Sequence, residues 1–435
     1  MGNIFLKLKK FLNLFPRHWV VAGSAWTSKI IVSLVNIISI RELLAYLGEE
    51  RYAVYLVAYS LTGWFALTQF NVGISLQNFI SESRAKDKNY DKYMVSALQS
   101  VAVLFVFFIT FTFFIADPLQ NIIFRKFNIV NEPIIFVFGI VSVITFLTNI
   151  VYNVYFAIHK GYIPNIFPAA AALISMCAIV LLKSYDKSQN IITALLIFTV
   201  PQCLFAAVPF IAVFKKYFSQ LFRLDYENFK ALIVRSAKFW IIGILGVIYW
   251  QTDYIIASQV LPAEEIVKYG IFTRFFLFAI FIYESLLLAV WPVRSEMYVR
   301  RDYAGIRGML KRYSFYAIAL IVISSALIYS FSDLIIRYLA PNAGITANLS
   351  LIISFCLYAI ARTFVANYSA FLQSINALRV YFFYVPISIL INVPAQYFFA
   401  KIYGAQGLAL GFTLSLTLTA VWILPLKTYK VLNKN

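Results

Sequence analysis

The chain has 435 residues, of which 62% are apolar and 13% charged, and its formal net charge is +19. Soluble globular proteins average roughly 45–50% apolar and about 25% charged residues, so this composition argues against a soluble enzyme. The stretches between apolar runs are too short for a separate aqueous domain. A nucleic-acid-binding protein is excluded too, because it needs a basic face on a soluble fold.

Residues 3 to 15 have the pattern of a helix that lies on an anionic membrane surface. One helical face carries Ile4, Leu8, Phe11, Leu12 and Phe15, and the opposite face carries Lys7 and Lys10. The apolar run from 19 to 40 is longer than the apolar core of a signal peptide and contains Lys29. It is therefore predicted to be the first membrane span.

A membrane-spanning helix needs about 20 predominantly apolar residues, because no water is available to bind its backbone. Twelve windows of the sequence qualify: 19 to 40, 53 to 80, 93 to 116, 133 to 158, 163 to 182, 191 to 214, 239 to 260, 269 to 293, 313 to 331, 348 to 372, 380 to 400 and 405 to 426. With both termini in the cytoplasm, 25 of the 37 basic residues fall on the cytoplasmic side and 9 on the other. This asymmetry follows the positive-inside rule and predicts an all-α, multi-pass membrane protein of about twelve spans.

An even number of spans per half allows a parallel repeat, and a short repeat is present. Leu47-Gly48-Glu49-Glu50 follows the first span, and Leu261-Pro262-Ala263-Glu264-Glu265 follows the seventh. We expect two six-helix halves, 1–214 and 239–435, related by a pseudo-two-fold axis along the membrane normal. The connection 215–238 is predicted to be cytoplasmic, either as a second surface helix or as a plain linker.

Five ionisable residues lie inside the predicted spans, where charge is costly and usually faces protein or an aqueous cavity. Lys29, Arg274 and Arg362 outnumber Asp253 and Glu284. A surplus of buried positive charge requires an anionic guest such as a phosphate or an acidic sugar, so the three cations are predicted to bind substrate. The two acids are candidates for counter-ions or for a proton or sodium site. For all five, the alternative is a structural ion pair or a position near a helix end.

Uncharged polar side chains in other spans are candidates for contacts with a sugar. They are Tyr59, Gln69, Asn149, Asn153 and Asn392. Hydroxyl and amide groups of this kind hydrogen-bond to sugars, and aromatic rings stack on them. The alternative is hydrogen bonding between helices, worth about 0.6 kcal/mol for each bond.

The sequence offers little for metal or covalent chemistry. It contains two histidines and three cysteines, and the cysteines lie in apolar segments without C-x-x-C spacing. No metal centre, cofactor, nucleophile with its base, or phosphate-binding loop is indicated, so the chain is not predicted to be an enzyme. Gly407-x-x-x-Gly411 instead indicates close packing of the last span.

Three stretches resemble the bacterial polysaccharide flippases of the multidrug/oligosaccharidyl-lipid/polysaccharide (MOP) exporter superfamily. The first runs from Arg41 to Lys88 and includes the acidic loop at 47–50 and Ser81-Glu82-Ser83-Arg84. The others are Asp253 to Arg274 and Tyr403-Gly404-Ala405-Gln406-Gly407-Leu408-Ala409. Two positions depart from the family pattern. Ala53 replaces an expected glycine, and Asn71 replaces a common aspartate, which argues against ion coupling at position 71.

The resemblance implies an O-antigen-type flippase that moves an undecaprenyl-pyrophosphate-linked oligosaccharide across the bacterial inner membrane by alternating access, driven by a proton or sodium gradient. By position, Lys29, Arg274 and Arg362 match the cavity cations of that family, and Asp253 matches an acid of its seventh helix. The implied partners are the lipid-linked oligosaccharide, membrane lipids, a polysaccharide polymerase and chain-length proteins.

Three other functions are weighed against this one. A drug or cation antiporter of the same superfamily binds cationic guests and suits a surplus of buried acids, whereas bases predominate here. A membrane polysaccharide polymerase or ligase needs a long extracytoplasmic loop for its active site, and the outer loops are short. A lipid II flippase is expected to have fourteen spans instead of twelve.

Overall fold

The computed structural model describes residues 17–127, 132–185, 188–223, 225–341, 345–375 and 377–433, and these ranges form helices joined by short connections. The first helices are α1 (Arg17–Ser60), α2 (Thr62–Phe65), α3 (Val72–Ala85), α4 (Asp91–Ile123), α5 (Ile134–Thr148), α6 (Ile150–Ala157), α7 (Tyr162–Tyr185) and α8 (Ile191–Phe214). They are followed by α9 (Tyr226–Trp250), α10 (Asp253–Val260), α11 (Ala263–Val299), α12 (Tyr303–Ser330), α13 (Ser332–Leu339), α14 (Leu349–Ser374), α15 (Tyr381–Tyr403), α16 (Ala405–Leu418) and α17 (Ala420–Asn433). Short 3-10 helices lie at Ala66–Gln69, Lys215–Gln220 and Leu378–Val380.

Eleven helical segments within the described ranges are long and apolar enough to cross a membrane. The first, Gly23–Gln69, has 47 residues, which is about 70 Å at helical rise and more than twice the thickness of the hydrocarbon core. It contains Gly48, whose φ of 73° and ψ of 174° are not helical. Gly48 divides α1, so this segment supplies two crossings, and the predicted total of about twelve spans is confirmed.

The predicted second span, 53 to 80, is not one continuous helix. Phe70 and Asn71 both adopt the left-handed conformation, with φ values of 50° and 52°. Such φ values cost energy for residues with a Cβ atom, so two in succession mark a defined interruption of the helix. The Trp240 indole of α9 covers this break, because its Nε1 donates a hydrogen bond to the Leu67 carbonyl at 2.9 Å.

Of the two alternatives for 215–238, a surface helix or a plain linker, one continuous surface helix does not fit the structure. Lys215–Gln220 is a 3-10 helix, whereas α9 begins at Tyr226 and continues to Trp250. The end of the connection and the start of the seventh span are therefore one helix. The predicted surface helix at 3 to 15 lies outside the described residues.

Within the described ranges the chain divides into two compact units. Unit 1 comprises Met1–Tyr46, Leu61–Ile122 and Val130–Ile244, and unit 2 comprises Leu47–Ser60, Ile123–Ile129 and Leu245–Asn435. The part of α1 that follows Tyr46 thus belongs to unit 2. The predicted halves 1–214 and 239–435 stay a prediction.

In unit 1, α3 packs on α6, and α5 and α7 pack on α8. Apolar side chains spaced by about one helical turn form its core, because that spacing places them on one helix face. The core includes Val72, Leu76, Ile80, Met94, Leu98, Leu147, Val151, Val154, Phe210 and Phe214.

In unit 2, α14 packs against α11, α12 and α16, and α15 packs against α16. A Cβ atom at Gly411 would lie 2.6 Å from the Gln396 backbone, and one at Gly407 would overlap the Phe399 carbonyl. The close packing predicted from the two glycines is therefore confirmed. The central position of α14 matters for the site, because this helix carries Arg362.

Candidate functional site

Arg362 lies in the middle of α14, and two aromatic side chains fix its guanidinium group. Nη1 donates a hydrogen bond to the Tyr358 hydroxyl at 2.7 Å, as the i, i+4 spacing predicts. Cζ lies 4.5 Å from the centre of the Trp250 ring, which is a cation–π contact. These contacts hold the guanidinium in place, and neither of them neutralises its charge.

Glu284 on α11 forms an ion pair with Arg362. The distance between Arg362 Nη2 and Glu284 Oε1 is 3.8 Å, which is too long for an N–H···O hydrogen bond. The glutamate side chain is 43% exposed and the arginine side chain 22%. The carboxylate is therefore the more accessible member of the pair, and it lies within electrostatic reach of the guanidinium without a hydrogen bond to it.

Asp253 begins α10 and is only 7% exposed. Its Oδ2 accepts a hydrogen bond from the Tyr269 hydroxyl of α11 at 2.7 Å. The carboxylate also interacts electrostatically with Arg362. Asp253, Glu284 and Arg362 thus form one charge cluster, in which Asp253 is the buried acid and Glu284 the more accessible one.

Arg274 on α11 lies among phenol groups. The rings of Tyr52, Tyr55 and Tyr59 on α1 stack in sequence, with centres 5.9 and 5.7 Å apart. These three tyrosines and Tyr254 on α10 interact electrostatically with the Arg274 guanidinium. Neutral phenol oxygens can accept hydrogen bonds from a guanidinium.

The five predicted charged residues belong to different units. Four belong to unit 2, where Arg274 and Glu284 stand about 15 Å apart along α11 by their ten-residue spacing. Lys29 belongs to unit 1, where its side chain is exposed on α1. The substrate-binding role of Lys29, Arg274 and Arg362 stays a prediction.

Three of the predicted sugar contacts are half-buried residues of unit 1 near irregular points of its helices. Gln69 ends the 3-10 helix before the break in the second span, and Asn149 separates α5 from α6. Asn153 on α6 lies directly against Gly73 of α3. Their sugar-binding role stays a prediction.

The other two predicted sugar contacts belong to unit 2 and differ in burial. Tyr59 is half-buried at the end of the tyrosine stack. Asn392 is fully buried. Its Nδ2 donates to the Tyr249 carbonyl at 3.1 Å, and its Oδ1 accepts from Gln396 Nε2 at 2.9 Å. The bond to Tyr249 joins α15 to α9 and is the interhelical hydrogen bonding that the sequence left open as the alternative, whereas Gln396 lies on α15 itself. The sugar contact of Asn392 stays a prediction.

Sequence reasoning missed Arg294, which it assigned to a cytoplasmic connection. Arg294 is 1% exposed, and its guanidinium donates to Asn367 of α14. A signal was present, since the neighbours at i−4, i−3, i+3 and i+4 are Val290, Trp291, Met297 and Tyr298. An arginine with apolar and aromatic neighbours on both adjacent turns is a candidate for burial.

Sequence comparisons relate the whole chain to bacterial transport proteins. A protein of Salmonella typhi named as a candidate O-antigen transporter is 31% identical over 417 residues, which cover 94% of this chain and 95% of that protein. A candidate O-antigen export protein of Yersinia pseudotuberculosis is 30% identical over 416 residues, with the same coverage. The chain belongs to the O-antigen transporter family. No protein-family model matches the transporter.

Solved structures place this transporter in the MOP fold. The lipid II flippase MurJ, in an inward closed conformation, aligns with a TM-score of 0.72 at 15% identity, covering 95% of this chain and 89% of MurJ. An inward-facing multidrug resistance MATE transporter of the MOP superfamily aligns with a TM-score of 0.73 at 14% identity, covering 95% of this chain and 99% of that one. At these identities the likeness establishes the fold alone, and the transporter is a multi-pass membrane protein of that fold.

Proposed function

We propose that this chain flips an undecaprenyl-pyrophosphate-linked oligosaccharide, the repeat unit of O-antigen or a related polysaccharide, across the bacterial inner membrane by alternating access. The relatives named for O-antigen transport support the oligosaccharide cargo. The names of these relatives refer to transport and not to catalysis. Both termini lie in the cytoplasm in this proposal, as the distribution of basic residues indicates.

The observation that carries the proposal is the orientation of Arg362. Tyr358 and Trp250 fix its guanidinium, while its Nη2 makes a long ion pair with Glu284. A guanidinium that is held in place in this way is suited to bind a pyrophosphate, because its planar N–H groups can donate to two phosphate oxygens at once. Arg274 provides a second such cation within unit 2, held by neutral phenols.

The other predicted site residues take supporting roles in this proposal. Lys29 supplies a third positive charge, and Tyr59, Gln69, Asn149 and Asn153 contact the sugars. Asn392 joins α15 to α9 through its buried amide instead of touching the cargo. The lipid tail stays in the bilayer, and a polysaccharide polymerase and chain-length proteins receive the cargo on the far side.

Asp253 is the proposed site of ion coupling. It is the more buried of the two acids near Arg362, and it is hydrogen-bonded to Tyr269. A buried carboxylate that exchanges a proton or sodium ion changes the local charge beside the substrate-binding arginine. Replacing Asp253 with Asn should therefore remove the dependence of transport on the ion gradient, measured in vesicles with and without an imposed gradient.

The function is tested by complementing a bacterial strain that lacks its own O-antigen transporter but makes the lipid-linked precursor. We expect Lys29→Ala, Arg274→Ala and Arg362→Ala to reduce O-antigen display at least tenfold and to leave the precursor on the cytoplasmic side. Arg362→Lys should restore only part of the activity, since an ammonium lacks the planar fork. Arg312→Ala, at an exposed arginine of α12, is the matched control. Normal display by all three test variants would contradict the proposal.

A further inference from the structure

Two contacts restrict how an anion can approach the Arg362 guanidinium. Nη1 donates a hydrogen bond to the Tyr358 hydroxyl at 2.7 Å, and one face of the guanidinium lies against the Trp250 ring. The Trp250 ring is itself held by a parallel stack on Phe412, with centres 5.8 Å apart. Neither contact allows the guanidinium to turn freely, so an incoming anion meets the edge that carries Nη2.

Glu284 stands at that same edge. The separation of 3.8 Å leaves the carboxylate attracted to Nη2 without a direct hydrogen bond. The glutamate side chain is about twice as exposed as that of its arginine partner. The carboxylate can therefore leave the arginine at little cost in packing.

The second acid of the cluster differs in this respect. Asp253 is buried and accepts a hydrogen bond from the Tyr269 hydroxyl at 2.7 Å. We therefore expect it to keep its position when an anion binds at the Nη2 edge of Arg362. It also contributes negative charge near the arginine. The two acids thus differ in burial and in hydrogen bonding, and Glu284 lies at the Nη2 edge, where a phosphate oxygen would bind.

We infer that Glu284 is a built-in competitor of the cargo. It occupies the open edge of Arg362 in the empty transporter, the pyrophosphate of the cargo displaces it, and it returns to expel the cargo after translocation. This inference rests on the proposed function and adds a release step to it. Binding and release of the cargo are linked because the pyrophosphate and the Glu284 carboxylate bind the same edge of Arg362 at different stages.

The inference predicts an unusual combination of effects for one substitution. Glu284→Gln keeps the shape of the side chain and removes the competing charge, so it should tighten anion binding by roughly fivefold or more, a typical size for coupled binding. The same variant should export less O-antigen, since the returning charge that expels the cargo is absent. A residue needed only for folding or for holding the substrate would weaken binding instead.

The experiment uses the full-length transporter in detergent and in nanodiscs. Affinity for undecaprenyl pyrophosphate, with inorganic pyrophosphate as a second probe, is obtained from the rise in unfolding temperature with ligand concentration. Glu296→Gln is the matched control, because Glu296 lies on the same helix and stands 3.9 Å from the exposed Arg300. Glu284→Asp is a second test variant, which keeps the charge but draws it back by one methylene group, and it should give a smaller increase in affinity.

The outcomes separate this inference from the function on which it rests. Tighter binding by Glu284→Gln, with unchanged binding by Glu296→Gln, supports the inference. Wild-type binding that is lost in Arg362→Gln but unchanged or weakened in both Glu284 variants overturns the inference and leaves the proposed function intact. Failure of the wild type and of all variants to bind either probe overturns the proposed function.

Discussion

Arg294 on α11 donates two hydrogen bonds to a single residue of α14, Asn367. Its Nη1 bonds to the main-chain carbonyl at 3.0 Å, and its Nη2 bonds to the side-chain carbonyl at 2.6 Å. The guanidinium also lies 5.3 Å from the centre of the Tyr313 ring on α12. This one buried cation thus joins three helices of unit 2 through neutral partners.

Replacing Asn367 should destabilise the protein more than replacing Arg294. Asn367→Leu leaves a buried guanidinium without its side-chain acceptor and should cost about 3–5 kcal/mol, whereas Arg294→Met should cost about 1–3 kcal/mol. The double variant should recover much of the loss, because an apolar pair needs no hydrogen bonds. Unfolding free energies in detergent measure all three. Additive losses would contradict a direct coupling between the two residues.

Gly404 should not tolerate alanine. Its φ is +66°, and a Cβ atom there would overlap the Glu265 carboxylate, which accepts a hydrogen bond from the Ala405 amide at 2.6 Å. We expect Gly404→Ala to cost about 1–3 kcal/mol from the backbone conformation and more from the overlap. A Glu265→Ala background should reduce the cost to the backbone part, measured by unfolding temperature.

Gly308→Ala is the matched control for this prediction. Gly308 lies in α12, and a Cβ atom added there would meet nothing within 4 Å. Replacing an exposed helical glycine with alanine should raise the free energy of unfolding by roughly 0.5–1 kcal/mol. Equal losses of stability in Gly308→Ala and Gly404→Ala would show that the backbone conformation of Gly404 does not cause the destabilisation.

The break in the second span should depend on the Trp240 indole. Trp240→Phe keeps the ring that contacts Phe70, with centres 4.7 Å apart in the native protein, but removes the hydrogen bond to the Leu67 carbonyl. We expect a loss of about 1 kcal/mol and faster hydrogen exchange at 66–71. Trp422→Phe, at a side chain that is 65% exposed, should change neither quantity. Unchanged exchange in Trp240→Phe would exclude this role.

An ion pair outside the spans predicts a small dependence of stability on pH. The hydrogen bond from Arg235 lowers the pKa of Glu82 from its ordinary value of 4.5. A folded-state pKa below the unfolded one gives stability that is present above about 4.5 and is lost as the pH falls through the lower, folded value. Both side chains are partly exposed, so the effect should be only a few tenths of a kcal/mol.

The measurement compares the unfolding temperatures of the wild type and Glu82→Gln. The wild type should be slightly more stable between pH 6 and 8, and the difference should vanish in acid. Arg235→Gln should give the same profile, because either substitution removes the pair. A difference that persists below the folded pKa would assign the stabilisation to packing.

The hydrogen bond from Arg362 to Tyr358 was accessible to sequence reasoning, and the ion pair with Glu284 was not. Tyr358 precedes Arg362 by four residues, so helix geometry alone places the two side chains together. Glu284 lies on another helix, and its contact with Arg362 depends on how α11 and α14 pack and on the rotation of each helix about its axis. The same limit explains why the burial of Arg294 was missed.

Composition and apolar run length alone determined that this chain is a helical membrane protein with about twelve spans and a surplus of basic residues. They do so because a bilayer imposes length and polarity on each span separately. Only the tertiary structure decided that Glu284 faces Arg362, that phenols surround Arg274, and that the second span breaks at Phe70 and Asn71. Those features arise from packing between segments distant in the chain, where side chains from several helices together decide which charges meet.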